Sequence, residues 1–125
     1  MPGRARGYDR DVDEERRLRA LYSAFNARDA ETVVAQLDDE VDWPNAWEGG
    51  RLIGPDAVRE YWARQWSEID PSVEPTGFEE LPDGRISVGV HQIVRDREGS
   101  LIAENDVRHV YQFRDGLVAR MDVQD

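Results

Sequence analysis

Three residue pairs, Asp83-Gly84, Glu98-Gly99 and Asp115-Gly116, punctuate the second half of the chain, and each separates two runs in which apolar and polar residues alternate. Alternation is the period of a β-strand, whose successive side chains point to opposite faces. A tight reversal needs residues that tolerate positive φ, which an Asp-Gly pair supplies. Strands are therefore predicted at about 73–81, 85–95, 101–113 and 117–124, joined as an antiparallel meander. In the third strand His109, Tyr111 and Phe113 share one face, while Val110 and Gln112 take the other. Met121 and Val123 fall on the inward face of the fourth, which turns Arg120 and Asp122 outward. In the second, Ile86, Val88, Val90 and Gln92 point inward and His91 outward.

The first half has a different period. From Val12 to Arg28, Leu18, Leu21, Tyr22 and Phe25 recur at spacings of three and four, as the apolar stripe of a helix does. Asp29 can cap a second short helix with apolar Val33, Val34 and Leu37, before LDDEVDW begins a strand. A third helix opens at Gly54-Pro55, carries Val58, Trp62, Trp66 and Ile69 along one stripe, and is expected to stop at Asp70-Pro71. Helices followed by a run of antiparallel strands give the α+β class. At 125 residues the chain is read as one domain, 12–125, behind a flexible arm of residues 1–11. That arm is positively charged without an apolar stretch after it, so it is not read as a secretory signal, and a cytoplasmic location is expected.

Several chemistries drop out. Acidic residues outnumber basic ones by 27 to 16, a balance that repels phosphate backbones, so nucleic acid is not an expected partner. Every basic residue is Arg, which removes Schiff-base chemistry, and the lack of cysteine removes thiolate nucleophiles and Cys-ligated metals. No apolar run has membrane-spanning length. His91 and His109 show no HxH or HExxH spacing, and LDDEVD lacks the spaced ligands of a calcium loop, so no metal is expected. EGGRLIGPD lacks the Lys and Ser/Thr of a phosphate-binding loop, and no Gly-x-Ser-x-Gly occurs, so neither a bound cofactor nor a serine nucleophile is expected.

What stands out is a concentration of amphipathic rings: Trp43, Trp47, Trp62, Trp66, Tyr61 and Tyr111, with His109 among them. Such rings fill cores, yet a cavity they line can hold a ligand oriented by a few polar groups. A pocket is expected with Trp43, Trp62 and Tyr111 as walls, Trp47 beside them, and Leu21, Phe25 and Val58 deeper. Met121 should join the lining, and Gln92 and Asn105 should enter it from neighbouring strands.

LYSAFNARDAETVVAQLDDEVDW, GPDAVREYWARQW and HVYQFRDGLVARMDV together resemble the nuclear transport factor 2-like (NTF2-like) superfamily, in its SnoaL-like branch. The resemblance implies a cone-shaped, cystatin-like α+β barrel. Its N-terminal helices would pack in the concave face of a curved, mostly antiparallel sheet, with a pocket at the mouth and frequent dimerisation through the sheet. Members include ketosteroid isomerases, polyketide cyclases, scytalone dehydratases and limonene epoxide hydrolases, so the resemblance implies a pocket rather than one reaction. The isomerase constellation does not carry over: its helix-one tyrosine falls at Leu21, its general-base aspartate at about Trp43 and its second aspartate at His109. Nor does the epoxide hydrolase triad: Arg95, Asp96, Arg120 and Asp122 are the available arginines and aspartates, but Met121 and Val123 take the inward face of the last strand and turn Arg120 and Asp122 outward.

His109 is thus the ionisable group placed inside the mouth, with Tyr111 on the same face. The expected function is binding of a small, largely apolar or carbonyl-bearing molecule, with two alternatives left open. One is acid–base catalysis of the cyclase, isomerase or dehydratase type, His109 acting with Tyr111 and no metal. The other is a non-catalytic binder, or a dimeric accessory domain with a vestigial pocket. A homodimer is expected because Gly89, Ile93 and Val110 lie on the outer sheet face. Desolvation among rings should lower the pKa of His109.

Overall fold

The computed structural model describes backbone for residues 2–124 and side chains for residues 13–124. Three helices, α1 (Pro2–Asn26), α2 (Ala30–Val34) and α3 (Pro55–Glu68), accompany six strands. The strands are β1 (Leu37–Pro44), β2 (Arg51–Ile53), β3 (Ile69–Glu80), β4 (Ile86–Asp96), β5 (Leu101–Arg114) and β6 (Leu117–Gln124). They form one sheet in the order β2-β1-β6-β5-β4-β3, antiparallel throughout except where β1 runs parallel to β6. The expected meander is therefore its β3 to β6 portion, and the sheet continues past β6 onto β1 and β2. The segment expected as an arm carries helical backbone from Pro2 onward, and its side chains lie outside the described residues.

Local chemistry accounts for most boundaries. Asp29 caps α2 by accepting the Thr32 backbone N–H at 3.2 Å, as its position suggested. Leu37, expected on that helix, is instead the first residue of β1 and buried. Asp70-Pro71, expected to stop α3 in a loop, lies inside β3, and Ile69 opens that strand rather than closing the helical stripe. Proline is tolerated there because β3 is an edge strand. The short β2 went unread because three residues after a glycine pair show no period; it pairs Leu52 with Trp43. Register shifts at Pro75/Gly77, Val94/Arg95 and Gln112/Phe113 mark irregularities of the kind that bend and twist a sheet.

One apolar cluster joins all the layers: Leu18, Leu21 and Tyr22 of α1, Val58, Tyr61 and Trp62 of α3, and inward residues such as Val88, Val90, Tyr111 and Met121 of the sheet. Ion pairs cover much of the outer face. Arg51 and Arg120 bridge Asp42 and Asp122 there at 2.7–3.1 Å. His91 sits between Asp106 and Glu104, each at 2.8 Å, and both carboxylates raise its pKa. These placements agree with the outward direction read for His91, Arg120 and Asp122. Val110, read as an outer residue that a monomer would leave wet, is only 3% exposed in the single chain, so its burial needs no partner.

The end of α1 is tied to β3 by two residues. Arg28 adopts φ 63° and ends the helix, with the Asp29 N–H donating to the Ala24 carbonyl at 2.8 Å. Its guanidinium donates to the carbonyls of Phe25 and Pro71 and pairs with Asp70. Asn26 mimics a strand neighbour, donating to the Val73 carbonyl at 2.7 Å and accepting the Val73 N–H at 2.9 Å. Asn26→Ala removes both bonds from an edge strand. A loss of about 1–2 kcal/mol in denaturant unfolding is expected, with the slope unchanged.

Candidate functional site

Between the helices and the concave side of the sheet lies a cavity of about 460 Å³. Its deep end is built where the Tyr22 side chain of α1 reaches β5. Tyr22 comes from the helical stripe, and His109 and Tyr111 from alternate positions of the strand, so three polar rings meet in an otherwise apolar core. The Tyr22 hydroxyl lies 2.8 Å from His109 Nδ1, and the Tyr111 hydroxyl donates to Tyr22 Oη at 2.8 Å. Tyr22 stacks against His109 with centroids 5.8 Å apart, and Tyr111 stands edge-on to both. Tyr22, His109 and Tyr111 are all buried.

Burial sets the electrostatics. Removing His109 from water penalises the imidazolium and pulls its pKa down to about 4, so the ring is neutral at pH 7. The same desolvation pushes the phenols of Tyr22 and Tyr111 up, which keeps both protonated. No carboxylate lines this cavity among the described residues. Nor is there, among them, any group of three or more His, Asp or Glu able to hold a metal ion. A neutral imidazole flanked by two phenols can exchange or hold a proton at an oxygen, with no buried net charge to compensate.

The walls are aromatic. Trp43 and Trp62 meet edge to face at 5.5 Å, Phe25 abuts Trp62 at 5.6 Å, and Trp43 reaches Tyr111 at 6.3 Å. Leu21 and Met121 complete the inner lining, and Gln92 and Asn105 enter from β4 and β5. The mouth is apolar and open, with Trp47 at 41%, Ile102 at 55% and Val123 at 40% exposure. Trp47 is held by its backbone N–H, which donates to the Tyr61 hydroxyl at 3.2 Å; Gln65 donates to the same oxygen at 3.3 Å.

Of the residues singled out in the sequence, His109, Tyr111, Trp43, Trp47, Trp62, Gln92, Asn105, Leu21, Phe25 and Met121 all line the cavity. Val58 does not: it is wholly buried in the core beneath, because its short side chain is enclosed by its neighbours before it reaches the opening. Trp66 packs on Trp62 and Phe25 and stays outside the lining, its indole N–H buried without a partner. Tyr22, Tyr61 and Gln65 were missed as site residues. For Tyr22 a signal existed. The helical period already puts Tyr22 on the same apolar stripe as Leu21, one residue later.

No helix among the described residues is long and apolar enough to cross a membrane. No curated protein matches the sequence. Among solved structures, TerC co-crystallised with polyporic acid superposes with a TM-score of 0.78 at 25% identity, covering 90% of this chain and 92% of that one. An NTF2-like protein of unknown function from Burkholderia pseudomallei gives 0.78 at 26% identity, covering 90% and 91%. A Mycobacterium tuberculosis protein in complex with estradiol-17β-hemisuccinate shares the fold, with a TM-score of 0.76 at 16% identity and coverage of 89% and 92%. The architecture is the NTF2-like, cystatin-like α+β fold. A SnoaL-like domain model matches residues 18–121, nearly the whole of the helix-and-sheet unit just described, and the chain belongs to the SnoaL-like family.

Proposed function

We propose that this protein binds a small, largely apolar molecule carrying an oxygen, and that His109 exchanges a proton with that oxygen at the deep end of the cavity. The observation that carries the proposal is the neutral imidazole held at 2.8 Å by Tyr22 inside an aromatic cavity without carboxylates among its described lining residues. Membership of the SnoaL-like family supports a small-molecule or cyclase-type role, and the complex of TerC with polyporic acid shows a similar fold accepting a small organic ligand. Isomerisation, cyclisation and dehydration share a need for proton transfer at or next to a carbonyl, which a single imidazole can assist.

The test uses a cyclic ketone in deuterated water. Binding should quench the fluorescence of Trp43 and Trp62, which wall the cavity, and raise the melting temperature as the ligand selects the folded state. Exchange of the hydrogens next to the carbonyl, followed by proton NMR, reports acid–base assistance and should vanish in His109→Phe. Binding without exchange would favour the second reading, a non-catalytic carrier. Absence of binding across a panel of apolar ketones would sink both.

The homodimer is a proposal resting on Gly89 and Ile93, which are partly exposed on the outer face. Light scattering should give twice the chain mass at micromolar concentration, and a monomer mass would refute it.

A further inference from the structure

We infer that the order of protons along the Tyr111–Tyr22–His109 chain makes His109 a hydrogen-bond donor to the cavity through Nε2, so that the site selects ligands whose oxygen only accepts, as a ketone does. This rests on the proposed binding function and specifies its direction. Tyr111 is fully enclosed, and among the described residues the only hydrogen bond of its hydroxyl is to Tyr22. Its proton has no other acceptor among the described residues, and leaving a buried hydroxyl proton unpaired is costly. Tyr111 therefore donates to Tyr22. The Tyr22 hydroxyl proton must then go elsewhere, and His109 Nδ1 is the acceptor within reach at 2.8 Å. A neutral imidazole carries one proton, so with Nδ1 accepting, that proton sits on Nε2.

The opposite order, with Nδ1–H donating to Tyr22 and Tyr22 to Tyr111, would strand the Tyr111 proton in the core. Nε2 itself has no hydrogen-bond partner among the described residues. It is also not sealed in, since among the described residues the one enclosed side-chain nitrogen or oxygen without a partner is that of Trp66. His109 lines the cavity, so its free N–H is available to a ligand there. Tyr22 and Tyr111 are positioning residues: they set which nitrogen of His109 carries the proton without touching the ligand oxygen.

The ¹⁵N NMR spectrum of the labelled protein at pH 7 should show His109 as the Nε2–H tautomer, and Tyr22→Phe should shift it towards a mixture. Three bicyclic probes of one shape read the consequence: indane has no polar atom, indan-1-one only accepts, and indole only donates. Isothermal titration calorimetry of the intact chain should find indan-1-one about fivefold to tenfold tighter than indole, the usual value of one additional hydrogen bond, and His109→Phe should erase that difference. Gln92 and Asn105 each both donate and accept, so they do not create the preference. An Nδ1–H tautomer, or indole binding as tightly as indan-1-one, would overturn the inference while the proposed binding function stood. If none of the three bound to a protein showing the Nε2–H tautomer, the binding function would fall and the selectivity with it.

Discussion

Acidifying the protein from pH 7 to pH 4 should remove about 3 kcal/mol of folding stability through His109 alone, an effect that His109→Phe abolishes. The folded-state pKa is about 4, against about 6.5 for an unperturbed histidine. Because the folded pKa is depressed, the unfolded chain binds the proton more tightly, and stability rises with pH wherever the two states differ in protonation. The contribution is intact above the unfolded pKa and is lost as pH falls from about 6.5 towards 4. Two and a half pH units at about 1.4 kcal/mol each set the upper size of the loss. Denaturant unfolding of wild type and His109→Phe at matched pH values should give a stability difference that is constant above about pH 7 and shifts by about 3 kcal/mol towards the variant between pH 7 and pH 4. Parallel curves would mean that the imidazole is not desolvated. Subtracting the variant also cancels carboxylates such as Asp122, whose pKa the neighbouring Arg120 lowers, since they act equally in both proteins.

His91 provides a contrast of opposite sign. Asp106 and Glu104 raise its folded pKa, so whatever it adds to stability is present below the unfolded pKa and disappears as pH rises through the folded one. The two histidines thus act in separate windows, His109 below about pH 6.5 and His91 above it. His91 is on the exposed outer face, where solvent screens its pairs, and His91→Gln should leave the acid slope untouched.

Trp62→Ala should be the most damaging single substitution in the cavity wall, costing about 3–5 kcal/mol. Trp62 is almost fully buried and is the ring against which Trp43, Phe25 and Trp66 all pack, at 5.5, 5.6 and 6.0 Å. Its removal joins a void to the existing cavity and strips three aromatic neighbours of a partner, in a domain whose total stability is expected to be about 5–15 kcal/mol. Trp62→Phe keeps a ring in place and should cost markedly less. Thermal unfolding of the two variants distinguishes them. If Trp62→Ala melted within a few degrees of wild type, the wall would be adaptable rather than packed, and shape selection by the cavity would have to be abandoned.

How much of this was legible in the chain follows from the range of each interaction. Which residues of a strand face inward is a local property, so alternation alone placed His109, Tyr111, Gln92 and Met121 on the cavity side and His91, Arg120 and Asp122 on the other. Turn chemistry located the hairpins for the same reason, because Gly84, Gly99 and Gly116 adopt the positive φ those turns require. Period could not say which inward residues line a space and which fill one. Val58 and Trp62 share a helical stripe, yet only the longer side chain reaches the cavity. Nor could it tell Leu21 from Tyr22, since both fall on the buried arc of α1 and only the placement of α1 over the sheet directs the Tyr22 hydroxyl at His109.

Residue type and nearest-neighbour pattern are enough for the class of fold, the faces of the strands and the exclusion of thiolate and lysine chemistry, because none of these depends on distant contacts. Tertiary structure decided the parallel pairing of β1 with β6, the anchoring of α1 to β3 through Asn26 and Arg28, and the Tyr22–His109 contact across 87 residues. Those features depend on where distant segments meet. No local pattern encodes that meeting, and it is what turns an ordinary buried histidine into one whose second nitrogen opens on a cavity.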